Sequence, residues 1–296
     1  MTSQGDRLEQ MLKDIEHDNV SGSVKMAEKT AHLLEEAAVA AKSRGEPVGE
    51  QVALWAGRAA KAHPFMALVR NVGMEAAKGF TPEEVHRRLE GLLWELRNSN
   101  DRISQHVRAL FPKGGVMMTN SYSATVYTSL RSLAEGGSEV RAIVIESRPV
   151  REGVQLARAL GELGIASTLI VDAGVASFVP KADAVLVGCD ALCPDHFVNK
   201  LGTLPLVLCA DQFGVPAYLL SSTHKMVGAS ILPEAEPPRP AEEVAGPMHG
   251  VTVENVYYER VPLHLMRGVV TESGVLTPSE VASRVGAHEL ARSGHR

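Results

Sequence analysis

The chain has 296 residues, 45% of them apolar, which is enough for a sizeable core in one large domain or two smaller ones. A net charge of −5 and the lack of any Lys/Arg block argue against direct nucleic-acid binding. The N-terminus has no apolar signal segment, and no run approaches the ~20 apolar residues that span a bilayer. We therefore expect a cytoplasmic protein that does not contact membranes.

The first hundred or so residues have the composition of helices. An Ala- and Leu-rich segment ends at Gly45, a residue type that favours a helix C-terminus. Another helix start is predicted at Thr81-Pro82-Glu83-Glu84. Thr81 suits the N-cap, Pro82 suits the first turn, and the two glutamates interact favourably with the positive end of the helix dipole. The resulting prediction is a helical N-terminal domain over residues 1–110, with helices at 24–45, 50–62, 66–78 and 81–110.

From Pro112 onward, short runs rich in Val and Ile alternate with helical stretches. This alternation predicts an α/β fold, a Rossmann-like doubly wound parallel sheet over residues 111–296. A Pro-rich segment, 231–249, is interpreted as a loop, and a capping pattern at Thr277 predicts a closing helix. The predicted strands are GVMMT (115–119), AIVIES (142–147), ASTLIVD (166–172), AVLVGCD (184–190) and PAYLLSS (216–222).

Polar residues follow these strands at the edge where open parallel sheets bind ligands. Residues 119–123 precede a helix, so their hydroxyls and free amides suit an anion, although Asn120 or Ser121 could equally cap that helix. Arg148 follows the second strand, where its guanidinium could bind a phosphate or pair with a neighbouring glutamate. Both segments are candidate ligand contacts.

Two further segments continue this pattern. Asp190 ends a buried strand, where a carboxylate is costly unless it is paired or used. It is therefore either a general acid or base, or a hydroxyl-binding group, with capping of the next turn as the alternative. Asn199 and Lys200 are predicted to open the next helix, with Gly202 allowing an anion to approach closely.

The sequence lacks the common motifs for zinc, dinucleotide and nucleotide binding and for a serine nucleophile, so those types of site are not expected here. The sequence contains no HExxH, GxGxxG, Walker or GxSxG pattern, so no metal and no cofactor is expected. His196 and His224 lie near the candidate loops, but surface or core roles are the simpler interpretation. The three cysteines have no CxxC pair, so neither a disulfide framework nor a zinc ribbon is expected.

Segments in a fixed order over 112–282 resemble one known family, which joins methylthioribose-1-phosphate isomerase and ribose-1,5-bisphosphate isomerase to the alpha, beta and delta subunits of eukaryotic initiation factor 2B. SGSVKMAEKTA at 21–31 is similar to the family's N-terminal segment, whose loop reaches the sugar phosphate. The segments that carry the resemblance are TNSYSATV, ESRPVREG, GCD…FVNKLGT, STHK and ENVYYERVPLHLMRGVVTESGVLTP.

The resemblance implies catalytic residues, with one departure. The family's enzymes open a ribose ring phosphorylated at C1 and convert the aldose to a ketose, using a Cys and an Asp. Asp190 matches the Asp, whereas Ser121 stands at the Cys position. A serine hydroxyl is a far weaker acid and nucleophile than a thiol and needs an adjacent base. Cys189 or Cys193 could supply a thiol from the opposite wall instead.

The resemblance also assigns ligand-binding positions. Glu152 departs from the enzymes, which tend to have Gln there, so the details of sugar recognition differ. The positions that the resemblance assigns to substrate or phosphate binding are Arg148, Asn199, Lys200, Lys225, Ser21, Gly22 and Ser23.

Two functions follow from the resemblance. The first is an initiation factor 2B-like protein that binds a ribose 1-phosphate-type substrate, such as ribose 1,5-bisphosphate or a nucleotide-derived phosphosugar, and either isomerises it or only binds it. The second is a non-catalytic regulatory subunit whose partner is another translation factor. TNSYSATV is closer to the initiation-factor subunits, whereas Arg148, Asp190 and Lys200 favour ligand binding. Both functions imply a homodimer or larger assembly.

Overall fold

The structure, a computed structural model, describes residues 4–293 and divides into two units, one up to Asn98 and one from Ser99. This division lies within α5, which continues to Leu110, whereas the boundary predicted from the sequence follows residue 110. The helices that begin in the N-terminal unit are α1 (Gln4–Glu16), α2 (Ser23–Arg44), α3 (Val48–Ala62), α4 (Ala67–Ala76) and α5 (Pro82–Leu110).

Local sequence accounts for these helices. The backbone of Gly45 is left-handed (φ 68°) after α2, and its N–H donates to the carbonyl of Lys42 at 3.2 Å. Thr81 caps α5, because its hydroxyl accepts the amide of Glu84 at 3.2 Å. The buried face of α2 includes Leu33, and each such leucine contributes about 1.5–3 kcal/mol. The predicted helical N-terminal region is confirmed.

The C-terminal unit contains two sheets and the helices that pack on them. Its helices are α6 (Ala124–Glu135), α7 (Glu152–Glu162), α8 (Val175–Phe178), α9 (Thr203–Gln212) and α10 (Pro278–Ser293). Its strands are β1 (Gly114–Asn120), β2 (Glu139–Ile145), β3 (Ala166–Ile170), β4 (Ala184–Val187), β5 (Ala191–Leu192), β6 (His196–Lys200), β7 (Ala217–Leu220), β8 (Tyr258–Pro262), β9 (Gly268–Thr271) and β10 (Gly274–Leu276).

The larger sheet has the strand order β10-β9-β7-β4-β1-β2-β3. Neighbouring strands are parallel except β9 and β10, which are antiparallel. From β1 the chain runs outward through β2 and β3, then crosses back to β4 on the other side of β1. The predicted Rossmann-like parallel sheet is thus confirmed, with its switch point between β1 and β4.

Both faces of the larger sheet are covered, as in most parallel sheets. Met118 and Ile143 belong to one buried cluster, whereas Met117 and Val144 belong to another. Successive residues separate in this way because neighbouring side chains in a strand point to opposite faces. The closing helix α10 is capped as predicted, since the Thr277 hydroxyl accepts the amide of Glu280 at 3.3 Å.

The smaller sheet, β5-β6-β8, is antiparallel and was not predicted. Asn199 and Lys200 do not open a helix, as the sequence suggested, but end β6, where they pair with Glu259 and Tyr258 of β8. Helix α9 begins only at Thr203. The prediction was wrong because the strand pairing that defines β6 comes from a distant part of the chain, and local pattern does not reveal it.

None of the helices in the part of the chain that the structure describes is long and apolar enough to cross a membrane.

Candidate functional site

The end of β1 supplies the first wall of the candidate site. Asn120 is buried, and Ser121 turns the chain with a left-handed backbone (φ 59°). The amide of Ser121 donates to the Ser147 hydroxyl at 2.7 Å, which joins the ends of β1 and β2. The cap of α6 is Ser123, whose hydroxyl accepts the amide of Val126 at 3.4 Å, so neither Asn120 nor Ser121 has the capping role considered from sequence. Ser121 is therefore not used as a helix cap.

Arg148 extends from the end of β2 into solvent. Its guanidinium donates to the backbone carbonyls of Glu243 and Val244, both at 3.2 Å, within the Pro-rich loop. Neither glutamate named as its alternative partner pairs with it, because Glu146 binds Arg151 and Glu152 binds Lys200. Arg148 thus ties the end of β2 to that loop and leaves part of its guanidinium exposed.

A hydrogen-bond network connects Asn120 with the end of β6. Thr203 donates its hydroxyl hydrogen to the carbonyl of Lys200 at 2.6 Å. The same hydroxyl oxygen accepts the side-chain amides of Asn120 and Asn199, both at 2.9 Å. Among the residues that the structure describes, no donor reaches the buried Oδ1 of Asn120. The network therefore fixes both asparagines and leaves one acceptor unsatisfied.

Lys200 and Glu152 form a buried ion pair. Lys200 Nζ lies 2.5 Å from Glu152 Oε1, and the side chains are only 6% and 7% exposed. The ammonium also lies 4.4 Å from the centre of the Tyr257 ring, a cation–π distance. Burial raises the pKa of Glu152, and the attraction to Lys200 opposes that rise. The charge of Lys200, assigned from sequence to a phosphate, is compensated within the protein.

Asp190 follows β4 on the other side of the switch point and is half-buried. Its amide donates to the carbonyl of Val198 at 2.8 Å, which aligns it with β6. Burial raises the pKa of Tyr258 well above its usual value, and the negative charge of Asp190 raises it further. Asp190 also contributes to the raised pKa of Glu152. These carboxylates therefore share one electrostatic environment.

Close packing holds the β4 end against β1. A Cβ atom at Gly188 would overlap the side chain of Ser123, so only glycine fits there without displacing the cap of α6. Similarly, a Cβ atom at Gly153 would overlap the carbonyl of Ile145, so glycine lets α7 start directly above β2. These two glycines bring the strand ends of the site into contact.

Lys225 and the cysteines lie behind this wall. Lys225 is buried, and its ammonium donates to the carbonyl of Cys189 at 2.6 Å. The thiol of Cys189 donates to the Ser221 hydroxyl at 3.1 Å, and burial raises its pKa to about 11. A thiol in that state is almost entirely protonated at neutral pH, so Cys189 does not replace the missing catalytic thiol. Cys193 is also buried.

Residues of the Pro-rich loop complete the site, and sequence reasoning missed them. Glu236 accepts the amides of Tyr257 and Tyr258 at 2.7 and 3.0 Å. Arg239 lies 4.6 Å from the Tyr257 ring centre, and the hydroxyl of Tyr257 donates to Glu243 at 2.5 Å. The ENVYY segment is visible in the sequence, but its pattern does not reveal which residues of the Pro-rich loop pack on its tyrosines.

Ser21, Gly22 and Ser23 belong to the N-terminal unit, where Ser23 is the first residue of α2 and Gly22 is its N-cap. The amide of Ser21 donates to Asp18 at 2.8 Å, and Asp18 pairs with Lys29. Burial alone would raise the pKa of Asp18, but the hydrogen bonds from Lys29, Ser21 and Val20 lower it to about 2. The loop is thus held by an ionised aspartate.

No group of three or more His, Cys, Asp or Glu side chains converges as metal ligands within the described residues. His196 binds its neighbour Asp195 at 2.7 Å, and His224 Nδ1 lies 3.0 Å from the Ser222 hydroxyl. These local contacts give both histidines structural roles.

Comparison with known proteins gives consistent matches. The model of the initiation factor 2 subunit family matches residues 19–278. A translation initiation factor eIF-2B subunit 2-like protein of Pyrococcus furiosus is 30% identical over 219 residues, covering 73% of this chain and 77% of the relative. The ribose 1,5-bisphosphate isomerase of Haloterrigena turkmenica is 32% identical over 186 residues, covering 57% of each. The crystal structure of the Pyrococcus horikoshii initiation factor eIF-2B has the same fold, with a TM-score of 0.82 at 24% identity over 93% of this chain and 98% of that one.

Proposed function

This chain is a member of the initiation factor 2 subunit family, and we propose that its strand-end crevice binds a ribose 1-phosphate-type sugar phosphate and converts the aldose to the ketose. The observation that carries the proposal is the arrangement at the switch point. Ser121 and Asp190 follow the neighbouring strands β1 and β4, and the Lys200–Glu152 pair lies at the adjoining end of β6. An isomerase relative supports the same chemistry.

In the proposed reaction, Asp190 is the proton-transfer group. It gives a proton to the ring oxygen as the bond between that oxygen and C1 breaks. The hydrogen on C2 then moves to C1 with its electron pair, and the C2 hydroxyl gives its proton to the Asp190 carboxylate as C2 becomes the ketone, which restores protonated Asp190. Ser121 contributes a hydroxyl as a hydrogen-bond donor, because among the described residues no base pairs with that hydroxyl to make it a nucleophile.

The test is an assay of ketose formation from ribose 1-phosphate, ribose 1,5-bisphosphate and methylthioribose 1-phosphate. We expect the parent to turn over at least one of them and Asp190→Asn to lose at least 100-fold in rate, as for loss of a general acid or base (roughly 10²–10⁴-fold). Asp195→Asn is a matched control, because Asp195 is exposed and pairs with His196. Equal rates for the parent and Asp190→Asn would contradict the proposal.

Variants at Ser121 distinguish an active isomerase from a protein that binds the substrate but no longer converts it. Ser121→Ala should reduce the rate if the hydroxyl donates to the substrate. If only Ser121→Cys is active, the scaffold binds substrate but the parent is not a catalyst, which supports the binding half of the proposal and refutes the catalytic half.

A second function remains open because Ser121 replaces the family's cysteine and an initiation factor subunit-like relative aligns over 73% of the chain. Under this alternative the protein is a regulatory subunit that binds another translation factor. Failure of all three ligands to bind the parent would favour it. Both functions imply a homodimer or larger assembly, and light scattering at micromolar concentration would test that prediction.

A further inference from the structure

Two buried acceptor atoms flank Lys200. The hydrogen of the Thr203 hydroxyl is used on the carbonyl of Lys200, so its oxygen can only accept from Asn120 and Asn199. Both asparagines must therefore turn their NH₂ groups toward Thr203. This orientation makes the opposite atom of Asn120 a carbonyl oxygen, buried and without a donor among the described residues.

Glu152 supplies the second acceptor. Its Oε1 receives the Lys200 ammonium at 2.5 Å, whereas its Oε2 is buried and has no donor within the described part of the chain. Leaving a buried acceptor unsatisfied costs free energy, so each of these two atoms needs an explanation. Hydrogen-bond donors on a ligand would satisfy both.

We infer that Glu152 and Asn120 form a hydroxyl-selective wall, so that the crevice takes a sugar monophosphate whose far end carries a free hydroxyl. The inference rests on the proposed function and specifies its substrate class. It also changes the role of Lys200, which holds Glu152 in place rather than binding a phosphate.

The charge at this wall argues against a second phosphate. A pentose 1,5-bisphosphate carries a phosphate at each end, so in the inferred arrangement its second phosphate would replace the hydroxyl beside Glu152, whose neutralising partner is already used. Like charges without screening water repel strongly. A 5-methylthio group is disfavoured for another reason, because it has no hydrogen to donate and would leave Oε2 of Glu152 unsatisfied.

The experiment compares three ligands that differ only at C5. Ribose 1-phosphate carries a hydroxyl, methylthioribose 1-phosphate a thioether and ribose 1,5-bisphosphate a phosphate. We expect calorimetry on the parent to show ribose 1-phosphate binding about tenfold or more tightly than either other ligand. Tighter binding of the bisphosphate by the parent would overturn the inference while leaving the proposed function intact.

A charge-neutral variant tests the cause. Glu152→Gln should improve bisphosphate binding relative to monophosphate by about tenfold, because it removes the negative charge and adds a donor. Glu146→Gln is the matched control, since Glu146 lies in the connection between β2 and α7 but pairs with Arg151, and its ligand ratio should stay at the parent value. An unchanged ratio in a folded Glu152→Gln protein would overturn the inference.

The ligand comparison on the parent needs no variant, so it stands even if Glu152→Gln fails to fold. If none of the three ligands binds to the parent, the proposed function fails and the inference fails with it.

Discussion

Two lysine–carboxylate pairs in this protein have carboxyl groups whose pKa values are shifted in opposite directions. Lys29–Asp18, in the N-terminal unit, has an aspartate whose pKa is lowered to about 2, whereas Lys200–Glu152, in the C-terminal unit, has a glutamate whose pKa is raised. Asp18 also accepts the backbone amides of Val20 and Ser21, and Lys29 remains 37% exposed. Glu152 is almost fully buried, and no amide within the described residues donates to its Oε2.

The difference indicates that the two ion pairs have different roles, one in stability and one in ligand binding. Backbone donors stabilise the charge of Asp18, so the first pair stabilises the start of α2. The second pair is poorly satisfied, and a buried ion pair is by itself weak evidence for stability. We interpret Lys200–Glu152 as a pair that keeps an acceptor available for a ligand.

Breaking the buried pair should have the largest effect on stability. Lys200→Met leaves the carboxylate of Glu152 buried without a partner and should cost about 3–5 kcal/mol of unfolding free energy. In this variant Glu152 must be protonated to stay buried, and the pKa of its carboxyl rises further because Lys200 is gone. The variant therefore loses stability as pH rises through that pKa, where Glu152 ionises. Urea unfolding should therefore show a larger loss at pH 8 than at pH 5.

The double variant Lys200→Met/Glu152→Gln is the control for this prediction. It removes both charges and should recover most of the lost stability, because no uncompensated charge remains. A loss in the double variant as large as in Lys200→Met would show that packing of the Lys200 stem, rather than charge, matters.

Breaking the partly exposed pair should have a smaller effect, with its pH dependence in a lower pH window. Asp18→Asn should cost about 1–2 kcal/mol at pH 7, a figure reduced for the partial exposure of Lys29. A lowered pKa means that this stability is present above the unfolded value of 3.8 and is lost as pH falls toward about 2. The difference between parent and variant in urea should shrink between pH 6 and pH 3, and a constant difference would contradict the assignment.

The sequence predicted the features that depend on local pattern. Runs of Val and Ile indicate β1, β2 and β4, and the caps at Thr81 and Thr277 mark helices α5 and α10, because each signal lies within a few residues of its effect. The strand ends that could meet ligands were also predictable, since parallel strands place their carboxyl ends at one edge.

The remaining features depend on contacts between distant residues. The smaller sheet exists because β6 pairs with β8, and Lys200 is neutralised by a glutamate 48 positions earlier (200 − 152). The stacking of Arg239 on Tyr257 likewise depends on how the Pro-rich loop folds. Local propensity contains no information about such pairings, so the phosphate role predicted for Lys200 overlooked its actual partner.

The most direct test of the site is a crystal structure of the protein with ribose 1-phosphate at saturating concentration. We predict the sugar between Ser121 and Asp190, with its C5 hydroxyl donating to Glu152 and the Lys200–Glu152 pair intact. A phosphate bound to Lys200 after release of Glu152, or a sugar bound away from the ends of β1 and β4, would contradict this account.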